Sequence, residues 1–225
     1  WYPDKGILNP TDIEGFDVII HLGGAGIGDK RWNNKRKKLI IDSRKDSTTL
    51  LSDTMSKLEK KPEAFIVASA IGYYGNRDDE ELTEDSPPGD GFLTETVIQW
   101  ESYADSARDA GIRVVNTRNG IVLSAAGGAL GRMLLPWKMG GGGPLAGGKQ
   151  WMSWISLDDE IYAIHHLMMN LDCEGAFNLT APEPVRQKTF SKTLGKVLRR
   201  PAFAPIPGFA MKILFGELAG PLLIE

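Results

Sequence analysis

Phe16-Asp17-Val18-Ile19-Ile20-His21-Leu22 runs straight into Gly23-Gly24-Ala25-Gly26-Ile27-Gly28, and a helical pattern follows. A short β-branched run that ends in glycines reads as a buried strand. From 31 to 60, Leu39, Ile40, Ser43, Leu50, Leu51, Thr54, Met55 and Leu58 recur three and four residues apart, and Pro62 closes the segment. That spacing lines one face of a helix. The alternation then repeats. Ala64-Phe65-Ile66-Val67-Ala68-Ser69 reads as a second strand, 94–110 as a helix, and Ile112-Arg113-Val114-Val115-Asn116-Thr117 as a third strand. Near-continuous apolar strands separated by helices are the pattern of βαβ units and a parallel sheet.

The expected fold class is therefore α/β, a Rossmann-like doubly wound sheet over residues 1–125 with helices on both faces. The second half is less regular. Gly140-Gly141-Gly142-Gly143-Pro144 suits neither a helix nor a strand interior, and nine glycines lie between Gly127 and Gly148. Beyond it, 156–171 reads as a helix opened by Ser156 with Asp159 three residues on. A strand at 176–180 and helices at 185–199 and 208–218 complete a small α+β lobe over 126–225, interleaved with the sheet edge. An acidic loop with Asp78, Asp79, Glu80, Glu81, Glu84 and Asp85 separates the second strand from its helix.

Composition bounds the function. The 225 residues carry 26 Lys+Arg against 29 Asp+Glu, a net charge of −3. The sequence-independent phosphate attraction of a nucleic-acid binder is not expected from that balance. No apolar run approaches the roughly 20 residues that span a bilayer. One cysteine, Cys173, excludes an internal disulfide framework, and no Cys/His cluster has metal spacing. The expected location is cytoplasmic. The chain starts Trp1-Tyr2-Pro3 and stops after Leu223-Ile224-Glu225, neither of which reads like a natural terminus.

The glycine cluster 23–28 follows a strand and precedes a helix, the setting of a dinucleotide fingerprint. Two details oppose that reading. The third small residue of the fingerprint falls on Asp29, whose carboxylate repels a pyrophosphate. The next strand ends at Ser69, with no acid to hold a ribose. The alternative is the carboxyl end of an inner strand, where glycines let backbone approach a cofactor.

Four stretches carry a resemblance: His21-Leu22-Gly23-Gly24-Ala25, Ser69-Ala70-Ile71-Gly72-Tyr73-Tyr74-Gly75, Gly140-Gly141-Gly142-Gly143-Pro144-Leu145, and Gln150-Trp151-Met152-Ser153-Trp154-Ile155-Ser156-Leu157-Asp158-Asp159. With Glu84-Asp85-Ser86-Pro87-Pro88-Gly89-Asp90 and Asn178-Leu179-Thr180-Ala181-Pro182, the chain resembles the atypical short-chain dehydrogenase/reductase group called epimerase family proteins. That group is a branch of the NAD-dependent epimerase/dehydratase superfamily and is sometimes described as nucleoside-diphosphate-sugar epimerases. The resemblance implies that an opening strand, G-x-x-G-x-x-G turn, helix and second strand precede residue 1, and that a C-terminal segment is also missing. This sequence would then lack the strongest cofactor contact, bind either dinucleotide weakly and leave a strand edge unpaired.

The resemblance also implies chemistry. Enzymatic members of the superfamily use a Tyr four residues before a Lys as acid/base, because i and i+4 share a helix face and a phenol near pKa 10 needs a nearby cation to act as a base. Here the residues four on from Tyr2, Tyr73, Tyr74, Tyr103 and Tyr162 are Gly6, Arg77, Asp78, Ala107 and His166. None is lysine, and Leu93 and Val97 fall at the two positions. The catalytic candidates are Ser69, at the strand end where the superfamily holds the substrate oxygen, and Tyr74. A strand-end serine also commonly satisfies backbone groups. Leu22, Gly23, Gly24, Ser69, Asn119, Gly120 and Ile121 are the implied cofactor contacts. Arg31 is the implied partner of an adenosine 2′-phosphate, which favours NADP while leaving NAD possible.

Two functions follow. One is an NADP(H)-binding epimerase or oxidoreductase acting on a nucleotide-sugar or another hydroxyl or carbonyl substrate. The other is a dinucleotide-binding sensor or interaction protein that has lost the Tyr/Lys pair. The expected partners are the dinucleotide and a small-molecule substrate, with neither nucleic acid nor membrane. The sequence does not fix the oligomeric state.

Overall fold

The computed structural model of the chain describes residues 1–220, the side chain of Leu214 excepted. Numbered along the chain, strands β1 (Val18–His21), β2 (Ala64–Ala70), β3 (Arg113–Asn119) and β7 (Gly175–Leu179) form one sheet in the order β1-β2-β3-β7. All three pairings are parallel, with His21 opposite Val67, Ala70 opposite Asn119, and Asn119 opposite Leu179. The carboxyl ends of the strands therefore share one edge, the edge at which open α/β sheets bind ligands.

Side-chain alternation along the strands feeds two cores. Phe65, Val67 and Val114 pack with Leu51 and Met55 of α1 (Asn34–Met55), Trp100 of α2 (Phe92–Ser102) and Ala107 of α3 (Asp105–Asp109). Ile66 and Val115 point the other way and pack with Ile164 and Leu167 of α5 (Leu157–Met169). Helices thus cover both faces of a parallel sheet, the expected Rossmann-like architecture. Arg113, at the start of β3, donates to the carbonyls of Leu167 (3.0 Å), Met168 (3.1 Å) and Cys173 (2.6 Å). The end of α5 therefore sits at the amino edge of the sheet, and its first turn lies toward the carboxyl edge.

Several elements depart from the sequence reading. The long first helix begins at Asn34, not 31, because the Asn33 side chain accepts the Arg36 N–H at 2.8 Å and caps it there. The expected helix over 94–110 is two helices. The break falls at 103–104, and just beyond it the Ala107 N–H is shared between the Ala104 carbonyl at 3.1 Å and the buried Ser52 hydroxyl of α1 at 2.8 Å. Glycine frequency hid α4 (Gly128–Lys138), which carries Pro136 inside it. The glycines after α4 pack closely: a Cβ on Gly142 would lie 2.7 Å from the Trp137 indole, and one on Gly143 would lie 1.9 Å from the Ala204 carbonyl oxygen.

Two small ladders build the second half. β4 (Ile121–Leu123) pairs in parallel with β6 (Trp154–Ser156), and β5 (Trp151–Met152) pairs antiparallel with β8 (Val185–Arg186). Ser156 caps α5 as expected, its hydroxyl accepting the Asp159 N–H at 3.0 Å. Helices α6 (Gln187–Leu198) and α7 (Gly208–Phe215) follow, with a 3-10 turn at Gly216–Leu218. β7 returns to the main sheet, so the two halves of the chain share it. Residues 221–225 of the expected lobe, with the apolar end Leu223-Ile224, lie outside the described residues.

Candidate functional site

At the carboxyl edge, the penultimate residue of β3 is a buried arginine. Arg118 is 4% exposed, and a guanidinium in that position needs a counter-charge. Glu101 of α2 supplies it bidentately, with Nε to Oε1 at 2.9 Å and Nη2 to Oε2 at 3.0 Å. Nη1 donates to the Tyr74 hydroxyl at 3.0 Å and to the Glu84 carbonyl at 3.2 Å, and the Tyr73 ring stacks 3.6 Å from the guanidinium carbon. Burial works against this charge, but the bonds to Glu101 and Tyr74 outweigh it and raise the Arg118 pKa above its usual value.

Both catalytic candidates belong to this network. Ser69 donates to Glu101 Oε1 at 2.6 Å, and Tyr74 donates to Asn178 Oδ1 at 2.7 Å while it accepts from Arg118. Each is 3% exposed. The acidic loop closes over them, with Glu84 accepting the Asn178 N–H at 2.8 Å. Further out, Asp79 accepts from the Trp151 indole at 2.8 Å and from Arg186, which lies over the Trp151 ring, and these bonds hold its carboxyl below the usual range. Leu93 and Val97, at the positions of the Tyr/Lys pair, face Gly72, where a Cβ would meet them at 3.5 and 3.9 Å. The two positions expected for the pair thus carry apolar side chains packed toward Gly72.

The glycine segment after β1 has a different logic from a phosphate turn. Among the described residues β1, β2 and β3 follow one another in a single direction, with no reversal of strand order between them. Alternate glycines instead accommodate side chains against the loop. A Cβ on Gly24 would lie 3.2 Å from the Arg44 guanidinium, one on Gly26 2.5 Å from the Asp29 carboxylate, and one on Gly28 3.2 Å from Arg132. Arg44 donates to the Ala25 carbonyl at 3.1 Å, and the Trp32 indole to the Ile27 carbonyl at 2.9 Å. Asp29, read as repelling phosphate, is bound by Arg36 at 3.3 Å and Arg132 at 2.7 Å.

The other expected cofactor contacts divide between two places. Leu22, 58% exposed, leads into exposed Gly23 and Gly24 and leaves open backbone at the end of β1. At the end of β3, Asn119 Oδ1 is buried and has no hydrogen-bond partner among the described residues. Gly120 and Ile121 turn away beneath Ser153. The Ile121 N–H donates to the Ser153 carbonyl at 2.8 Å, and a Cβ on Gly120 would lie 2.6 Å from that oxygen. Arg31 stands apart from both, with its guanidinium donating to the Ile213 carbonyl of α7. The glycine-bare backbone and the spare Asn119 acceptor fit the nucleoside and nicotinamide portions of a dinucleotide. No G-x-x-G-x-x-G turn for the pyrophosphate occurs in the sequence.

Residues 7–180 match the family described as NAD dependent epimerase/dehydratase family. The chain belongs to that family. An epimerase family protein of Mycobacterium bovis is 37% identical over 219 residues, which cover 97% of this chain and 72% of the relative. The crystal structure of human epimerase family protein SDR39U1 with NADPH superposes with a TM-score of 0.89 at 33% identity, covering 95% of this chain and 73% of that one. The nucleoside-diphosphate sugar epimerase from Corynebacterium glutamicum matches at 30% identity with a TM-score of 0.77, over all of this chain and 50% of its own.

Against that family background, sequence reading missed several polar groups. Glu101 and Asn178 were invisible as partners, although a charge at Arg118 ending the run Val114-Val115-Asn116-Thr117 was a signal that a buried counter-ion must exist. Glu160 sits on the buried face of α5 with Ile164 and Leu167. It is 6% exposed, its Oε2 has no partner among the described residues, and burial pushes its carboxyl up to about 7. Among the described residues no group of three or more His, Cys, Asp or Glu could hold a metal ion, and no helix is long and apolar enough to cross a membrane.

Proposed function

We propose that this chain is an NADP(H)-binding, epimerase- or oxidoreductase-like protein whose substrate is a nucleotide-sugar or a similar hydroxyl or carbonyl compound. The observation that carries this reading is the conjunction, at one sheet edge, of open Leu22–Gly24 backbone and the unpartnered Asn119 carbonyl. The likeness to a relative solved with NADPH supports the choice of cofactor, and the likeness to a nucleoside-diphosphate sugar epimerase supports the substrate class. When bound, the nicotinamide supplies or accepts hydride. Leu22, Gly23 and Gly24 present backbone to the cofactor. Asn119 accepts from a donor such as a carboxamide or ribose hydroxyl, and Gly120–Ile121 hold that corner against Ser153. Arg31 reaches a 2′-phosphate by leaving the Ile213 carbonyl.

In this reading Tyr74 carries the exchangeable proton at Oη, with the Arg118 guanidinium in the electrostatic role that lysine has in the family's pair. Ser69 orients the substrate oxygen once its hydroxyl turns from Glu101. Titration with NADPH and NADH, followed by assay against a panel of sugar nucleotides and carbonyl compounds, tests this reading. The expected result is tighter NADPH binding, with turnover lost in Ser69→Ala and Tyr74→Phe. One observation favours the second reading, a nucleotide sensor: Leu93 and Val97 leave no acid/base pair on α2, and Ser69 and Tyr74 are already hydrogen-bonded to protein. NADPH binding without turnover across the panel would establish the sensor.

A further inference from the structure

The basic charge of this chain is not evenly spread. Between residues 29 and 45 there are eight lysines and arginines against two aspartates, in a molecule of net charge −3. The structure folds part of this cluster inward. Arg36, with only 11% of its side chain exposed, comes from α1, and Arg132 comes from α4. Their guanidiniums meet on the two oxygens of one carboxylate, Asp29, while they also donate to the Gly26 and Gly28 carbonyls. Arg36 Nε is buried and has no partner among the described residues, so one donor of the pair is still unused. Arg44, behind them, has its pKa lowered to about 10 by burial and by the charge of Arg36. Positive charge here exceeds what Asp29 neutralises.

A carboxylate gripped by two arginines from different elements occupies the position that an oxyanion would take. Asp29 is half exposed, on a loop, and lies against Gly26, where a Cβ would come within 2.5 Å of its carboxylate. We propose that Arg36 and Arg132 form a binding site for the phosphate of a phosphorylated substrate, and that Asp29 is an internal stand-in which the phosphate displaces. The site gives the substrate class in the function proposed above, and it rests on that reading only in calling the ligand a substrate. It differs from the cofactor's contacts at Leu22–Gly24 and Asn119–Ile121. It also gives the glycines at 26 and 28 a purpose, because side chains there would push Asp29 and Arg132 apart.

The probe is inorganic pyrophosphate, titrated by calorimetry into the protein with and without saturating NADPH. The expected result is binding that survives NADPH, tightens at least threefold in Asp29→Asn, and weakens at least tenfold in Arg132→Gln. The melting temperature of Arg132→Gln should stay near that of the wild type, since this side chain is more than half exposed. Unchanged or weaker binding in Asp29→Asn, or indifference to Arg132→Gln, overturns the proposal. Displacement of pyrophosphate by NADPH also overturns it, by assigning the arginines to the cofactor. NADPH binding is read separately, so failure there with pyrophosphate binding intact would count against the cofactor reading alone.

Discussion

At the scale of single residues, the most consequential feature is a charged pair in a place that apolar packing would normally take. Arg118 and Glu101 sit behind the carboxyl ends of β2 and β3 and organise Ser69, Tyr73 and Tyr74 around them. Removing one member strands the other in a low-dielectric setting. Arg118→Leu is expected to cost about 3–5 kcal/mol, measured by urea denaturation, whereas Tyr74→Phe, which removes one hydroxyl between two partners, should cost only about 1–2 kcal/mol. Glu160 gives a pH signature. An acid whose folded pKa is raised from 4.5 to about 7 holds a proton that the unfolded chain has released across that interval. Stability therefore falls as pH rises from 4.5 to 7, by up to about 3 kcal/mol from this group. His21, whose pKa burial lowers, acts oppositely as pH falls below 6.5, so the informative comparison is between variants at each pH. Glu160→Gln should be more stable than the wild type at pH 8, and the difference should vanish near pH 4.5, as read by denaturation midpoints.

At the scale of elements, what periodicity could reveal depended on whether a segment spoke for itself. The three strands and the capped α5 were legible because alternation, β-branching and Ser156 are local signals. The break between α2 and α3 was not, because the contact beside it is non-local: Ser52, 55 residues away, shares the Ala107 N–H with the Ala104 carbonyl. Ser52→Ala leaves the Ala107 N–H with the Ala104 carbonyl alone and should cost about 0.5–1.5 kcal/mol, with the loss of amide-exchange protection concentrated at residues 104–110. α4 was hidden by its glycines and Pro136, whose propensities argue against a helix that Trp137 anchors in the packed lobe. The site was legible in part. Ser69, Asn119 and the glycine loop could be singled out from their place at strand ends. The arginines that pack on that loop could not, because Arg132 joins it from 104 residues downstream of Gly28.

At the scale of the whole molecule, β1 and β7 are the two edges of the main sheet among the described residues. β1 pairs only with β2 among the described residues, and Ile20, Leu22 and Phe16 are exposed along it, with the Trp1 ring edge-on to that of His21 at 6.1 Å. An unpaired apolar edge is a template for another strand. The chain is expected to self-associate as concentration rises, and Ile20→Lys should shift its sedimentation profile toward monomer without lowering the melting temperature by more than a few degrees. The glycine loop is distinguished from a pyrophosphate turn by side chains packed on it, with Arg44 and Trp32 donating to the Ala25 and Ile27 carbonyls. Backbone amide shift mapping with NADPH tests that separation most directly. The account predicts the largest changes at Leu22, Gly23, Gly24 and Asn119–Ile121, whereas dominant shifts at Gly26 and Gly28 with a diphosphate bound by their N–H groups would contradict it.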